Sequence, residues 1–271
     1  MSRLRRATAR LAARSAYKFL LQDWLRPDDL DAAADLLATM RWVRQLEPVV
    51  MERPDARRIQ VMAPHPDDEM IGPGGTLLRS IDAGADVDVL VLTSEPGEKG
   101  ALRRRESEAV AAWAGYRLTF LDLPSGSHGW ADTAVPLVQE HLRAHPADVL
   151  LLPFVLDDHP DHREANRLLA LTAPDAVLPA EVWAYQVYTP LPANVVVDIT
   201  EVHARKAEGI RMWRDSAMRS RDWAHFALGL NAFNSRLLAG VAEARYVESF
   251  FVLPTDEYRK LCARYFGAEG N

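Results

Sequence analysis

His65, Asp67, Asp68 and Glu69 fall within five consecutive positions of the stretch VMAPHPDDEMIGPGGT at 61–76, directly behind the apolar residues Ile59, Val61, Met62 and Ala63. Carboxylates and an imidazole this crowded repel one another or lose solvation unless a cation neutralises them. Imidazole nitrogen with carboxylate oxygen is a donor set suited to zinc, so a divalent metal is the simplest compensating charge. A second stretch, PFVLDDHPDHR at 153–163, carries His159, Asp161 and His162. His65 and Asp68 stand three positions apart, as do His159 and His162. In a single turn that spacing brings side chains to one side.

The elements that must position these groups are short apolar strands. Ile59 to Ala63 reads as a buried strand, and Gly72, Gly74 and Gly75 as a turn into a helix near Thr76. DVDVLVLTS (86–94), YRLTFLDL (116–123) and DVLLLPF (148–154) read as further strands, with helices from about Ala101 to Gly115, near Val135 to Ala144 and from about Arg163. EVWAYQVYT and NVVVDIT read as two more strands around Pro190 and Pro192. Strands alternating with helices over short links imply a Rossmann-like, doubly wound, mainly parallel sheet. Both polar stretches then sit at strand carboxyl ends, the edge where open α/β sheets bind ligands.

The two stretches resemble the signature of the LmbE-like deacetylases, also called the PIG-L family: HPDDE, then GPGGT, then a His-x-Asp-His run at 159–162. The likeness continues through a Gly-Glu-x-Gly turn at 97–100, Arg103 and Glu106 ahead of Gly115, and VDIT, Lys206, GLN and YVESF, so that it covers about Arg58 to Leu253. The resemblance implies a zinc-dependent N-deacetylase acting on N-acetylglucosaminyl compounds, with His65, Asp68 and His162 as metal ligands and one position left open. It implies Asp67 as general base and then acid, and His159 as the group that polarises the amide oxygen, for which an imidazolium would serve. Asp161, between the two histidines, is expected to orient a ligand, Glu69 to hold a ligand or the backbone, and Arg103 to reach the substrate. Trp130, in the loop PSGSHGW, either stacks on a sugar ring or folds inward as a staple, and His128 reads as a surface histidine.

The chain as a whole bounds these readings. Its 271 residues are 48% hydrophobic and 26% charged, which suits one large α/β domain. A net charge of −6 argues against a nucleic-acid partner. The single cysteine, Cys262, cannot form an internal disulfide, and the chain reads as cytoplasmic. We expect an N-terminal helical extension at 1–55, the deacetylase-like domain at 56–255 and a tail at 256–271. The first 22 residues form a basic arm, with Arg3, Arg5, Arg6, Arg10, Arg14 and Lys18 before Asp23. Such an arm could lie on an anionic membrane, but its simpler reading is a helix packed on the domain with its arginines in water.

Three rival readings fail or weaken. A dinucleotide fingerprint from Gly72 and Gly74 requires glycine where Leu77 stands. A two-metal phosphoesterase needs more ligands than these stretches offer. A metal-containing binding protein without catalysis would need Asp67 or His159 to be missing, and both are present.

Overall fold

The computed structural model describes residues 47–126, 130–172, 177–214, 222–238, 243 and 245–267. The basic arm, His128 and all but the last three residues of the helix that the sequence predicts over 27–49 lie outside the described residues; those last three are not helical, and Val49 already opens the edge strand β1. Eight strands form one sheet: β1 (Val49–Met51), β2 (Arg58–Ala63), β3 (Asp86–Ser94), β4 (Arg117–Pro124), β5 (Val149–Pro153), β6 (Glu181–Tyr185), β7 (Val195–Asp198) and β8 (Val247–Pro254), in the order β1-β7-β8-β6-β5-β2-β3-β4. Only β8 runs antiparallel to its neighbours, β6 and β7. The helices are α1 (Asp68–Ile71), α2 (Gly74–Asp82), α3 (Gly97–Ala114), α4 (Ala131–Ala144), α5 (Pro160–Leu171), α6 (His203–Ile210), α7 (Trp223–Asn234) and α8 (Thr255–Tyr265).

The core follows from alternation along the strands. Ile59, Val61, Val89, Val91, Leu151 and Trp183 face one layer, whereas Met62, Leu90, Leu92, Leu150, Leu152 and Val182 face the other. The first layer takes the apolar sides of α2, α3, α6 and α7, and the second those of α4, α5 and α8. Parallel strands covered on both faces must be apolar at nearly every position, and β3 is buried from Val87 to Thr93. Gly115 ends α3 at φ 92°, the left-handed cap that a side chain with a Cβ would strain.

Two domain limits move. β1 pairs with β7, so the sheet's edge lies inside the expected extension. Residues 255–265 form α8, which buries Tyr258 and Cys262 in the core and is part of the domain, not a tail. The strands expected from β2 to β7 and the helices α3 to α5 lie within about four residues of their expected limits, with α3, α4 and α5 starting earlier, at Gly97, Ala131 and Pro160.

Chain order explains why the two polar stretches meet. After β2 the chain winds outward through β3 and β4, then returns to place β5 on the other side of β2. The boundary between β2 and β5 is therefore the sheet's switch point, where loops diverge and leave a crevice. The 64–76 segment leaves β2 there, and the 154–160 segment leaves β5 beside it.

The 72–76 turn is held by a buried charge pair. The Glu248 carboxylate accepts from the backbone N–H groups of Gly75 and Thr76, each at 2.7 Å, and from the Thr76 hydroxyl at 2.6 Å, capping the α2 N-terminus from β8. Lys206, fully buried on α6, donates to Glu248 at 2.7 Å, Gly72 O at 2.9 Å and Asn231 Oδ1 of α7 at 3.0 Å. Gly75 sits so close to Ile199 that an added Cβ would fall 2.7 Å from its Cγ2. Lys206→Met should strand Glu248 as an unpaired buried charge and cost about 3–5 kcal/mol, the scale for breaking a buried pair. Chemical denaturation checks this, and a loss below about 1 kcal/mol would show that the pair does not hold the turn.

Candidate metal centre

Asp67 opens the site in an uncommon backbone conformation, φ 123°. A non-glycine residue there stores strain, of the order of 1–3 kcal/mol, and survives only where its surroundings over-determine it. Glu69 supplies part of that restraint: Oε2 accepts from the Asp67 N–H at 3.0 Å and Oε1 from the Tyr116 hydroxyl at 2.9 Å. Its expected backbone-holding role is what the structure shows. The Asp67 carbonyl accepts from Met70 N and Ile71 N, winding the chain into α1.

Asp68 Oδ2 is the point on which donors converge. It lies 3.2 Å from His65 Nδ1 and 3.2 Å from His162 Nε2. Tetrahedral zinc with bonds of about 2.0–2.1 Å separates its ligand atoms by roughly 3.3–3.4 Å, and the two spacings from Asp68 Oδ2 are close to that value. His162 is fully buried, and neither ring nitrogen makes a well-aligned hydrogen bond despite its close carboxylates. A buried imidazole with its nitrogens left over is shaped for a further, electrophilic partner. His65, His159 and His162 also bring ring nitrogens within 4.8 Å of one another, a second triad sharing two members with the first. The set with Asp68 suits a cation better, because it adds a negative oxygen, while His159 Nδ1 already accepts the Asp161 N–H at 3.2 Å.

The Asp161 carboxylate serves a histidine of the other stretch, while its backbone N–H holds His159. Its Oδ2 lies 2.9 Å from His65 Nε2, across the crevice, and accepts from Gly126 N at 2.8 Å and Ser125 Oγ at 3.2 Å. The carboxylate behind His162 is Asp157, with Oδ1 3.0 Å from Nδ1 and further backbone donors in His159 and Tyr188. Sequence reasoning missed Asp157. The rule that a ligating histidine rests on a carboxylate called for such a residue, but only the turn at 154–159 selects Asp157 over Asp158 and Asp161.

Two further expectations change. Trp130 is 4% exposed, its ring in the core beside α4 and its Nε1 donating to Asp161 at 3.4 Å, so it serves as a staple and presents no stacking face. Arg103 Nη2 donates to Asp67 Oδ2 at 2.7 Å and Pro66 O at 2.6 Å, which places the guanidinium on the catalytic candidate itself. A cleft lined by His65, Pro66, Ser94, Arg103 and Ser125 opens beside it.

Protonation follows from burial and these neighbours. Burial pushes the Asp67 carboxyl up, against the Arg103 charge, to about 7. Burial also raises Glu69 to about 7. Burial opposes the charge on His65, but the Asp161 and Asp68 carboxylates outweigh it and hold the ring at about 9. For His162 burial is likewise overcome, by Asp68 and Asp157, and the value is about 10. His159 goes the other way, down to about 4, through burial and then the charges on His65 and His162. A metal cation in their place acts in the same sense, so His159 is a neutral imidazole at pH 7 and not the imidazolium expected. With Nδ1 accepting from Asp161 N, the remaining proton sits on Nε2.

A second cluster, Asp88, His141 and His145, also gathers metal-type donors within 4.8 Å, at the opposite end of the strands. There the Asp88 carboxylate already receives Arg117 Nε at 3.1 Å, Gln60 Nε2 at 3.2 Å and His141 Nε2 at 2.9 Å. The local charge is balanced by protein groups, which sets this cluster apart from the first.

The comparisons with known proteins cover the elements that carry both clusters. Residues 60–173, which span both polar stretches, match the family model described as PIG-L, GlcNAc-PI de-N-acetylase. The diacetylchitobiose deacetylase of Thermococcus kodakarensis is 31% identical over 135 residues, 42% of this chain and 48% of that protein. A 1D-myo-inositol 2-acetamido-2-deoxy-alpha-D-glucopyranoside deacetylase of Kineococcus radiotolerans is 44% identical over 77 residues, 27% of this chain and 20% of that protein. The matched region thus spans about half or less of these relatives. Among solved structures, the N,N'-diacetylchitobiose deacetylase of Pyrococcus horikoshii superposes with a TM-score of 0.61 at 20% identity, over 95% of this chain and 96% of its own. The 4-carboxy-2-hydroxymuconate hydratase of Pseudomonas putida does so at 0.59 and 18%, over 73% and 96%. These likenesses establish the fold, and the hydratase shows that the fold alone does not fix the reaction.

The protonation pattern gives a pH dependence with a definite sign. His65 and His162 have folded values above the ordinary histidine value of about 6.5, so in the metal-free protein their ion pairs stabilise fully below that pH and fade as pH climbs through about 9–10. At pH 7 both carry protons that a metal must displace, so zinc binding should expel about two protons and tighten as pH rises toward 9. Calorimetry in two buffers of different ionisation enthalpy counts them, and a release near zero would mean that neither histidine is a ligand. His162→Ala should abolish tight, stoichiometric zinc.

Proposed function

We propose that this chain, whose residues 60–173 are a PIG-L family domain, is a metal-dependent hydrolase that removes an N-acyl group, an acetyl in the simplest case, from an amino-sugar substrate. We assign zinc as the metal and His65, Asp68 and His162 as its ligands. The observation that carries this reading is the convergence of two histidine nitrogens on Asp68 Oδ2 with a strained, buried Asp67 next in the chain. Such a centre unites metal-type donors with a carboxylate they do not use. A zinc ion bound there supplies a Lewis acid and lowers the pKa of a bound water toward about 7.

The protein's own groups have separable tasks. Asp67, tuned to about 7 by burial, accepts the water's proton and returns it to the departing amine. Arg103 fixes the rotamer of Asp67 through one oxygen, and Glu69 fixes its backbone. His159, neutral with its proton on Nε2, acts as a hydrogen-bond donor to the oxygen on which negative charge develops. Its ring stands edge-on to His65 at 4.5 Å, so it is beside the ligands without completing their set. Asp161 and Asp157 hold the His65 and His162 rings in place.

The named relatives act on amino-sugar compounds, which supports that substrate class, and GlcNAc is the simplest member to assay. No described helix is long and apolar enough to cross a membrane. The buried free Cys262 accords with a reducing, cytoplasmic setting, which is part of this proposal.

Asp67→Asn is nearly isosteric and leaves the ligands in place. It should retain zinc while acetate release from an N-acetyl amino sugar falls about 10²–10⁴-fold. Near wild-type release by the metal-loaded variant would exclude Asp67 and make Glu69 the next carboxylate to test. Arg103→Ala should lower kcat as well as raise KM, because the guanidinium positions the base. A rise in KM with kcat unchanged would confine Arg103 to substrate binding.

A further inference from the structure

Helix α7 is built the wrong way round for an ordinary surface helix. Its buried stripe is small or polar, Ala224, Ala227, Asn231 and Asn234, while two of its largest apolar side chains face out, Phe226 at 39% and Phe233 at 56% exposure. Amphipathic helices normally turn bulky apolar residues to the core. Gly229 lies between the two phenylalanines at helical spacing, and a Cβ added there would meet nothing within 4 Å. Phe226, Gly229 and Phe233 thus form one open apolar stripe about 10 Å long, two turns of helix.

The stripe is joined to the metal centre by rings. The Tyr188 ring lies nearly parallel to that of His162, with centroids 5.5 Å apart. On its far side Tyr188 meets Trp223 at 6.0 Å and Phe226 at 6.2 Å, and those two meet each other at 5.7 Å. Tyr188 is held in place by its backbone N–H, which donates to Asp157, the carboxylate behind His162. Ring contacts therefore run from a ligand of the proposed metal through Tyr188 to Phe226; Phe233 stands two turns further along α7, with the Arg236 guanidinium 4.4 Å from its ring centre.

We propose that this surface is a binding track for a hydrocarbon extension of the substrate, seated against Tyr188, Trp223 and Phe226 near the reacting amide and running over Gly229 toward Phe233. The inference rests on the deacetylase reading for the identity of the reacting end. A contiguous exposed apolar patch is costly to leave in water and marks a place where something apolar docks. Continuity with the metal-centre rings selects the substrate as the occupant, because a chain lying on the stripe has its near end beside His162. The extension can be carried on the nitrogen as a longer acyl group or on the sugar as an apolar aglycone. The chemistry of the track is the same for both.

The test compares three substrates with the zinc-loaded full chain: GlcNAc, its hexyl glycoside and N-hexanoylglucosamine. Wild type should show a KM about tenfold lower for one hexyl compound than for GlcNAc, and the favoured one identifies which end lies on the track. Phe226→Ala, and separately Gly229→Phe, whose Cβ would enter open space, should erase that preference while kcat on GlcNAc stays within about twofold. Calorimetric binding of the hexyl glycoside to metal-free protein should weaken in parallel. Equal KM values for all three substrates, or a preference untouched by both variants, would overturn the track. So would vesicle binding that depends on Phe226 and Phe233 without any hexyl preference, which would make the stripe a lipid-surface contact. If no substrate is hydrolysed by wild type, the deacetylase reading falls, and the binding arm still decides the track: variant-sensitive hexyl binding upholds it and undetectable binding overturns it.

Discussion

The dominant constraint on this molecule is the burial of negative charge at one sheet edge. Asp67, Asp68, Glu69, Asp157 and Asp161 are each less than a tenth exposed, and all belong to the two segments, loop and first helical turn, that leave β2 and β5 at their boundary. Carboxylates taken out of water must be paired or must give up their charge. Both outcomes occur. Asp68 and Asp157 stay ionised against His162, and Asp161 falls to about 2 largely through His65, while Asp67 and Glu69 are pushed by burial to about 7. The protonated histidines of the metal-free protein occupy the electrostatic role of a cation. A metal in that position would replace their protons, so the same charge balance would serve both the metal-free and the metal-bound protein.

Holding this charge requires a frame that does not relax. The turn after the first motif is clamped from two directions, by Lys206 of α6 and Glu248 of β8, with Asn231 of α7 holding the lysine, and the clamp is itself a buried ion pair with its partners satisfied. Elements at opposite ends of the chain thereby set the backbone from which Asp67 and Asp68 project. The antiparallel strand β8 interrupts an otherwise parallel sheet, and its placement between β6 and β7 brings Glu248 under the α2 N-terminus. The strain at Asp67 is affordable because Glu69, Tyr116 and Arg103 all act on that one residue or its partner.

The second cluster of metal-type donors shows what distinguishes a centre from a salt bridge. Asp88 and His141 have the residue types and the closeness, yet Arg117 and Gln60 already complete the Asp88 carboxylate. At His162 both nitrogens are buried and face carboxylates at 3.0–3.2 Å without an aligned hydrogen bond, and no arginine or side-chain amide among the described residues shares that charge as Arg117 and Gln60 do at Asp88. Composition makes the two look alike, and partner accounting separates them.

The amino-acid sequence by itself determined the sheet, the two motifs and their arrival at one edge, because alternating apolar strands and short links admit few windings and the motifs directly follow strands. It also determined the donor types, since histidine and aspartate packed this closely have few uses. Only the tertiary structure decided which carboxylate serves which histidine. Asp161 crosses the crevice to His65 and Asp157 turns back to His162, a pairing set by loop geometry that spacing cannot express. It also decided that Trp130 faces inward and Arg103 rests on Asp67, because the direction of a long side chain depends on which neighbours offer a buried cavity or an opposite charge. The protonation of His159 was undecidable from its sequence neighbours for the same reason: it depends on burial and then on positive charge from His65, which lies far away in the chain and 4.5 Å away in the fold.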